Sequence, residues 1–287
     1  MIRIVTDSAA DLTPEECEAL GIVVVPLRIQ FPEGVVNSED ISRDDFYNRL
    51  EAMWPQIPST TLPSPSMFTD SYRQIVKQDK EILSIHISSG LSNTIESASL
   101  GAREVPEAEI EIVDSMTLSG GQRFQVLSAT LAARAGKRKD QIIDQLDRIR
   151  KSTETIYTLD TMSYLAKGGR IGRVQALAGA LLNIKPIIHV DRTDGKYSAV
   201  GRERTLTRAL EAIASHIAKE FGGTRLWVSV MHGQAADYAD QLAQLLRAKI
   251  NIGKLETLRI SPVLGVHTGP KIVGASVVPI ALMESQD

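Results

Sequence analysis

Short apolar runs that stop abruptly at clusters of Ser, Thr, Asp and Gly are the feature that most limits what this chain can become. Residues 2–5 are apolar but for one arginine and end at Thr6-Asp7-Ser8-Ala9-Ala10-Asp11. A helix is expected over Pro14–Leu20, with Thr13 as N-cap, Pro14 at the first helical position, Glu16 closing a capping box and Gly21 ending it. Residues 22–25 are apolar again. Strand, helix, strand with short connections is the unit of a parallel sheet. A further run at 81–87 ends at Ser88-Ser89-Gly90-Leu91-Ser92-Asn93-Thr94, with a helix expected to begin near Ser92, and 109–113 alternates with a period of two, as a strand does.

Residues 140–151 read as an amphipathic helix, with Ile142, Ile143, Leu146 and Ile149 on one face. A boundary is expected just after it, giving domains over 1–152 and 153–287. Beyond it, an apolar helical run at 176–184 leads to a strand at 186–190, and Asp194-Gly195 turns the chain into a partner strand at 196–200. Leu206, Leu210, Ile213 and Ile217 share a helix face, while 226–231, 255–260 and 272–278 read as strands. The expected fold class is α/β in two domains, the first with a mainly parallel sheet and the second with a mixed one. The Pro- and Ser-rich stretch 55–65 reads as a long loop.

A chain of 287 residues has room for two cores. Its net charge of −3 supplies no broad basic field for nucleic acid. The single cysteine, Cys17, allows neither an internal disulfide nor a cysteine zinc site and reads as a small packing residue on its helix. The N-terminus lacks the apolar core of a signal peptide, and nothing approaches the ~18 apolar residues of a membrane span. The expectation is a soluble, cytoplasmic protein with no integral membrane segment.

Ligands of open α/β sheets sit at the carboxyl ends of strands, so the polar loops are where chemistry is to be sought. Asp7 stands where a nucleophile or metal ligand would, and equally where a turn-and-cap residue would. Thr60-Thr61-Leu62-Pro63-Ser64-Pro65-Ser66 is a proline-stiffened row of hydroxyls able to donate to one carboxylate or phosphate; Ser64 and Pro65 also have the spacing of a helix start. The small residues of 88–94 let backbone approach an anion, although they match neither the Walker loop nor the dinucleotide fingerprint. Lys167-Gly168-Gly169-Arg170-Ile171-Gly172-Arg173 puts three cations on a glycine-rich segment suited to an anion or a partner, with Arg202 and Arg204 able to join it; a solvated face is the plain alternative. His267, in a loop between two apparent strands, could donate to a carboxylate or move a proton, or be only a surface residue. His86, His189, His216 and His232 have no metal-ligand spacing, and no nucleophile–base pair is recognisable. Neither a metal nor a cofactor is therefore expected.

In this order the loops resemble those of the DegV family from end to end. The matching pieces are Thr6-Asp7-Ser8-Ala9-Ala10-Asp11-Leu12, Thr60-Thr61-Leu62-Pro63-Ser64, Ser88-Ser89-Gly90-Leu91-Ser92-Asn93-Thr94, Val113-Asp114-Ser115, Lys167-Gly168-Gly169-Arg170-Ile171, Leu182-Asn183-Ile184-Lys185-Pro186 and His267-Thr268-Gly269-Pro270. The resemblance implies two α/β domains with a lipid site between them, a long-chain fatty acid with its tail buried and its carboxylate at a polar mouth, and no catalysis by the chain itself. It also implies a partner, because some members present the acid to a separate fatty-acid kinase that phosphorylates the carboxylate. Thr60 and Ser92 match the family's carboxylate contacts and His267 its head-group histidine; Thr61, Asn93 and Thr268 stand beside them and are grouped with them. Arg170 and Arg202 match basic positions linked to phosphorylation and kinase docking. The family usually has Gln where Leu62 stands and Gly where Asn93 stands, so that Asn93 adds a donor here. On the residues alone a second reading stays open: an enzyme acting on a small phosphorylated or carboxylated substrate through Asp7 or His267.

Overall fold

The computed structural model describes residues 1–178 and 184–283. Among them the strands are β1 (Arg3–Asp7), β2 (Val23–Val25), β3 (Arg28–Phe31), β4 (Gly34–Asn37), β5 (Ser59–Thr61), β6 (Glu81–His86), β7 (Glu109–Asp114), β8 (Glu154–Thr158), β9 (Lys185–Val190), β10 (Tyr197–Glu203), β11 (Leu226–His232), β12 (Ile252–Arg259) and β13 (Val273–Pro279). They form three sheets. One has the order β2-β1-β6-β7 and is parallel throughout. The largest runs β10-β9-β8-β13-β11-β12 and is antiparallel except for the β11–β12 pair. The two-domain α/β class, parallel first and mixed second, is what the sequence pattern implies.

The third sheet, β4-β3-β5, is small and antiparallel, and it corrects the sequence reading of 55–65 as loop. Its strand Ser59–Thr61 is three polar residues long and shows no apolar alternation; only pairing with β3 makes it a strand. The helix Pro14–Leu20 has its expected capping box, Thr13 Oγ1 accepting from Glu16 N at 3.3 Å and Glu16 Oε2 from Thr13 N at 3.0 Å. Helical structure is present at Gln175–Ala178 in the apolar run read as 176–184; residues 179–183, with Leu182 and Asn183 of the resembling motif, lie outside the described residues.

The helix Ser119–Arg134 has 14 buried residues of 16 because it lies between the parallel and mixed sheets. Phe124 meets Trp227 of β11 edge to face, with ring centroids 5.6 Å apart, and one apolar cluster runs from Leu83 and Ile85 through Phe124 and Leu127 to Trp227 and Val278. A helix packed on both sides has no polar face, so it carries no amphipathic stripe to be read.

Two carboxylates of the first loop lock these layers. Asp7, 1% exposed, accepts from Ala9 N at 2.9 Å and Gln122 Nε2 at 3.2 Å on one oxygen, and from Ile87 N at 2.9 Å on the other, with His86 Nδ1 3.0 Å away. Asp11 accepts from Ser261 N at 2.8 Å and from the Ser119 hydroxyl, joining the first loop to the start of the helix Pro262–Thr268.

Asp7→Ala would strand Ala9 N–H, Ile87 N–H, the Gln122 amide and His86 in a dry interior. At about 1–3 kcal/mol for each unsatisfied buried donor, the variant should lose about 3 kcal/mol or more, read by urea denaturation; a loss within about 0.5 kcal/mol, the range of ordinary surface changes, would show that the clamp is dispensable.

Candidate functional site

Between the parallel sheet, the small sheet and the helix Pro262–Thr268 lies a cavity of about 40 Å³. Thr60, Ser92, Arg170 and His267 form its polar side, and Leu27, Ile87, Leu91 and Leu264 its apolar side. Tyr197 and Leu264 also line a second, deeper cavity of about 10 Å³, whose wall includes Leu118, Tyr157, Met231, Ile260 and Ile272. The two share one apolar cluster, in which Leu159, Val190 and Val263 also take part. The arrangement is a polar mouth opening onto a seam of apolar side chains.

Each polar group is held by the backbone beneath it. Thr60 is the middle residue of β5, paired with Ile29 of β3; alternation along the strand turns it inward while Ser59 and Thr61 face solvent. His267 is not the loop residue that its sequence context suggests. It sits in the last turn of Pro262–Thr268 and is only 9% exposed. The sequence hides this helix because all seven of its residues are buried, which leaves no polar face to mark it. Asp11 and the Ser38 hydroxyl fix its first turn, the latter accepting from Val263 N at 3.3 Å. At the other end His267 Nε2 is 2.8 Å from Thr60 Oγ1.

Gly168 packs against the other ring nitrogen so closely that a Cβ there would collide with His267 Nδ1. Gly169 then takes a left-handed φ of +71°, and Arg170 folds back to donate from Nη1 to Gly168 O at 2.7 Å. This is the reason for the paired glycines: one is a close approach and the other a turn. Burial, helped by the nearby Arg170 charge, lowers the His267 pKa to about 3, so the ring is neutral near pH 7 and Arg170 is the cation of the mouth.

Ser92 lies in the 88–94 loop, its Oγ 2.8 Å from Thr94 Oγ1, and the helix behind it is Thr94–Arg103. That loop rests on the β9–β10 turn: Ser88 Oγ donates to Gly195 O at 2.8 Å, and Gly195, at φ +65°, has no room for a side chain beside Ser88. The remaining candidates lie elsewhere. Thr61 and Asn93 are exposed and outside the cavity wall, Asn93 making no capping bond. Thr268 is buried, donates to Leu264 O at 3.0 Å and lines the deeper cavity. Arg202 is exposed on β10, against which the turn Gly172–Val174 packs. Sequence reasoning missed Tyr197 and Leu264, which join the two cavities; as apolar-face residues they carry no mark that sets them apart from core.

Asp7 lines a different cleft from His267, on the other side of the first loop. With both oxygens occupied by structural donors it has no lone pair turned toward a substrate shared with His267. No helix among the described residues is long and apolar enough to cross a membrane.

Comparison with known proteins gives a uniform result. The profile of the uncharacterised DegV protein family matches residues 1–280. A DegV domain-containing protein of Deinococcus radiodurans is 35% identical over 277 residues, covering 96% of this chain and 95% of its own. A DegV family protein from Thermus thermophilus, whose structure is described for its fatty acid binding, is 30% identical with a TM-score of 0.90, over 97% of this chain and 99% of that one. DegV from Bacillus subtilis, a fatty acid binding protein, is 26% identical with a TM-score of 0.87, over 96% and 98%. A stearic-acid-binding protein from Eubacterium ventriosum is 27% identical with a TM-score of 0.86, over 97% and 98%.

The buried His267 makes stability depend on pH. In the unfolded chain the ring takes a proton near its ordinary 6.5, and in the folded one only near about 3. The unfolded state binds the proton first, so the contribution is full above pH 6.5 and is lost as pH falls toward 3. His267→Asn should flatten that acid limb in denaturation curves taken across this range; identical limbs in parent and variant would mean that the ring titrates normally.

Proposed function

The chain belongs to the DegV family, and on that premise we infer that it binds a long-chain fatty acid, tail in the apolar seam and carboxylate at the mouth, and presents it to a separate kinase. The observation that carries this reading is the convergence of Thr60, Ser92, His267 and Arg170 on one small cavity whose apolar wall continues inward through Tyr197 and Leu264. Hydroxyl groups and a neutral imidazole can donate to a carboxylate, and the Arg170 charge stands at the rim. The fatty acids bound by the Thermus, Bacillus and Eubacterium relatives support the same ligand class.

Affinity on this reading comes from the tail. Each methylene removed from water contributes about 0.8 kcal/mol, so a long chain supplies on the order of 10 kcal/mol before ordering costs. The two cavities hold about 40 and 10 Å³, against roughly 300 Å³ or more for a ligand pocket. A fatty acid therefore enters by parting the Tyr197, Met231 and Leu264 side chains, and Met231 is the most adaptable of the three. The head group sets orientation: a carboxylate beside Arg170 lies at the surface, where a kinase can reach it.

Arg170 and Arg202 are assigned to the kinase step. Both are exposed, and Arg202 lies outside the cavity wall. Such rim charges steer a partner more than they hold a ligand.

Mass spectrometry of the organic extract of denatured protein should find a long-chain fatty acid near one per chain. A clean extract, together with no uptake of added palmitate or oleate, would overturn the reading. Arg170→Ala and Arg202→Ala should keep the lipid but slow acyl-phosphate formation by an added fatty-acid kinase about tenfold or more. Loss of the lipid itself in both variants would place these arginines in binding instead.

A further inference from the structure

Five side chains meet on the face of the mixed sheet covered by the helix Leu206–Phe221. Glu154 begins β8 and is 1% exposed. His189 lies on the neighbouring strand β9, where its backbone pairs with Ile156. His216 and Glu220 stand one helical turn apart on Leu206–Phe221 and present their heads to Glu154. Arg192 comes from the β9–β10 turn. His216 and Glu220 are four apart on one helix, but Glu154 lies far from them in sequence, so no local spacing announces the cluster.

The contacts of His216 are poor for hydrogen bonds and suit a cation. His216 Nε2 is 3.3 Å from Glu154 Oε1 and 3.3 Å from Glu220 Oε2. A single N–H cannot point at both oxygens, and both distances exceed the usual 2.7–3.2 Å range. A tetrahedral zinc ion with bonds of about 2.0–2.1 Å holds its ligands about 3.3 Å apart. All three ligand atoms lie within 4.8 Å of one another. His189 is an outer partner, its Nδ1 2.9 Å from the same Glu154 oxygen. Arg192 does not occupy the ligand positions. It donates to the other oxygen of Glu154 at 2.7 Å and also pairs with Oε1 of Glu220, so it turns Glu154 Oε1 and Glu220 Oε2 toward His216. Outer partners that orient ligating carboxylates in this way are a regular part of metal sites.

We propose that Glu154, His216 and Glu220 form a binding site for a divalent transition-metal ion, zinc foremost. Two carboxylates and an imidazole suit zinc and not magnesium or calcium, which take oxygen alone. The ion would tie the helix Leu206–Phe221 to the edge of β8 and β9, beside the turn whose Gly195 supports the 88–94 loop.

Full-length protein stripped with a chelator and titrated with zinc chloride in a calorimeter should take up one ion per chain with a rise in melting temperature. An equal concentration of magnesium should do neither. His216→Ala and Glu220→Gln alter side chains that are 28% and 30% exposed, and their folding is checked by circular dichroism. Each should weaken zinc binding about tenfold or more and abolish the thermal shift. No zinc uptake by the parent, or uptake unchanged in both folded variants, would overturn the site.

Discussion

A buried carboxylate must be surrounded by donors or it unfolds what surrounds it, and the architecture here is organised around one that is. Asp7 ends β1, one of the two central strands of the parallel sheet. Its two oxygens collect the backbone of its own loop, the backbone at the end of the adjacent strand β6, and a side chain of the helix Ser119–Arg134. His86 extends the network, with Nε2 2.7 Å from Ser84 Oγ and Ser84 2.9 Å from the Tyr72 hydroxyl. Because a carboxylate only accepts, the hydrogen between it and His86 sits on Nδ1. The same polar loop that looks like a catalytic motif in sequence is thus consumed in holding strand ends and a helix in register.

Asp11, four residues on, extends that order across the molecule. Its left-handed backbone, φ 52°, turns the chain so that the carboxylate meets Ser119 and the amide of Ser261. The helix that starts there carries His267 to Thr60 and under Gly168. The mouth is therefore not a loose collection of loops: its histidine is positioned from one end by Asp11 and Ser38, and from the other by Thr60 and a glycine that leaves the ring its space. A second bridge works in parallel. Buried Arg123 grips Glu16 of the first helix and donates from Nε to Glu256 of β12 at 3.3 Å, while Glu256 also accepts from Trp227 Nε1 at 3.1 Å. The mouth is assembled from both halves of the chain, and these bridges hold the halves in one relation.

Much of this is legible in the sequence. Apolar runs place β1, β2 and β6, period-two alternation places β7, and Thr13, Pro14, Glu16 and Gly21 mark a helix through its capping chemistry. The signals failed where burial is complete or where pairing alone makes the element. Ser119–Arg134 is buried on nearly every side, its Gln122, Arg123 and Gln125 included, Pro262–Thr268 is buried along its whole length, and Ser59–Thr61 is a strand only because β3 lies next to it. Thr60, Ser92, Arg170 and His267 stood out as polar residues in glycine-, serine- or proline-rich surroundings. Tyr197 and Leu264 did not, since an apolar side chain facing a seam looks the same in sequence as one facing a core.

The sequence by itself determined the α/β class, the parallel and mixed sheets, the capped first helix and the family resemblance, because periodicity, turn chemistry and short loop motifs are local. Tertiary structure alone decided that Asp7 is a structural clamp, that His267 is buried and neutral, that Thr61 and Asn93 face solvent while Thr60 and Ser92 face the cavity, and that Glu154, His189, His216 and Glu220 meet. These are facts of burial and distance between residues far apart in the chain. Burial fixes the protonation of a histidine and the availability of a carboxylate, and it is a property of the surroundings, which no single segment contains.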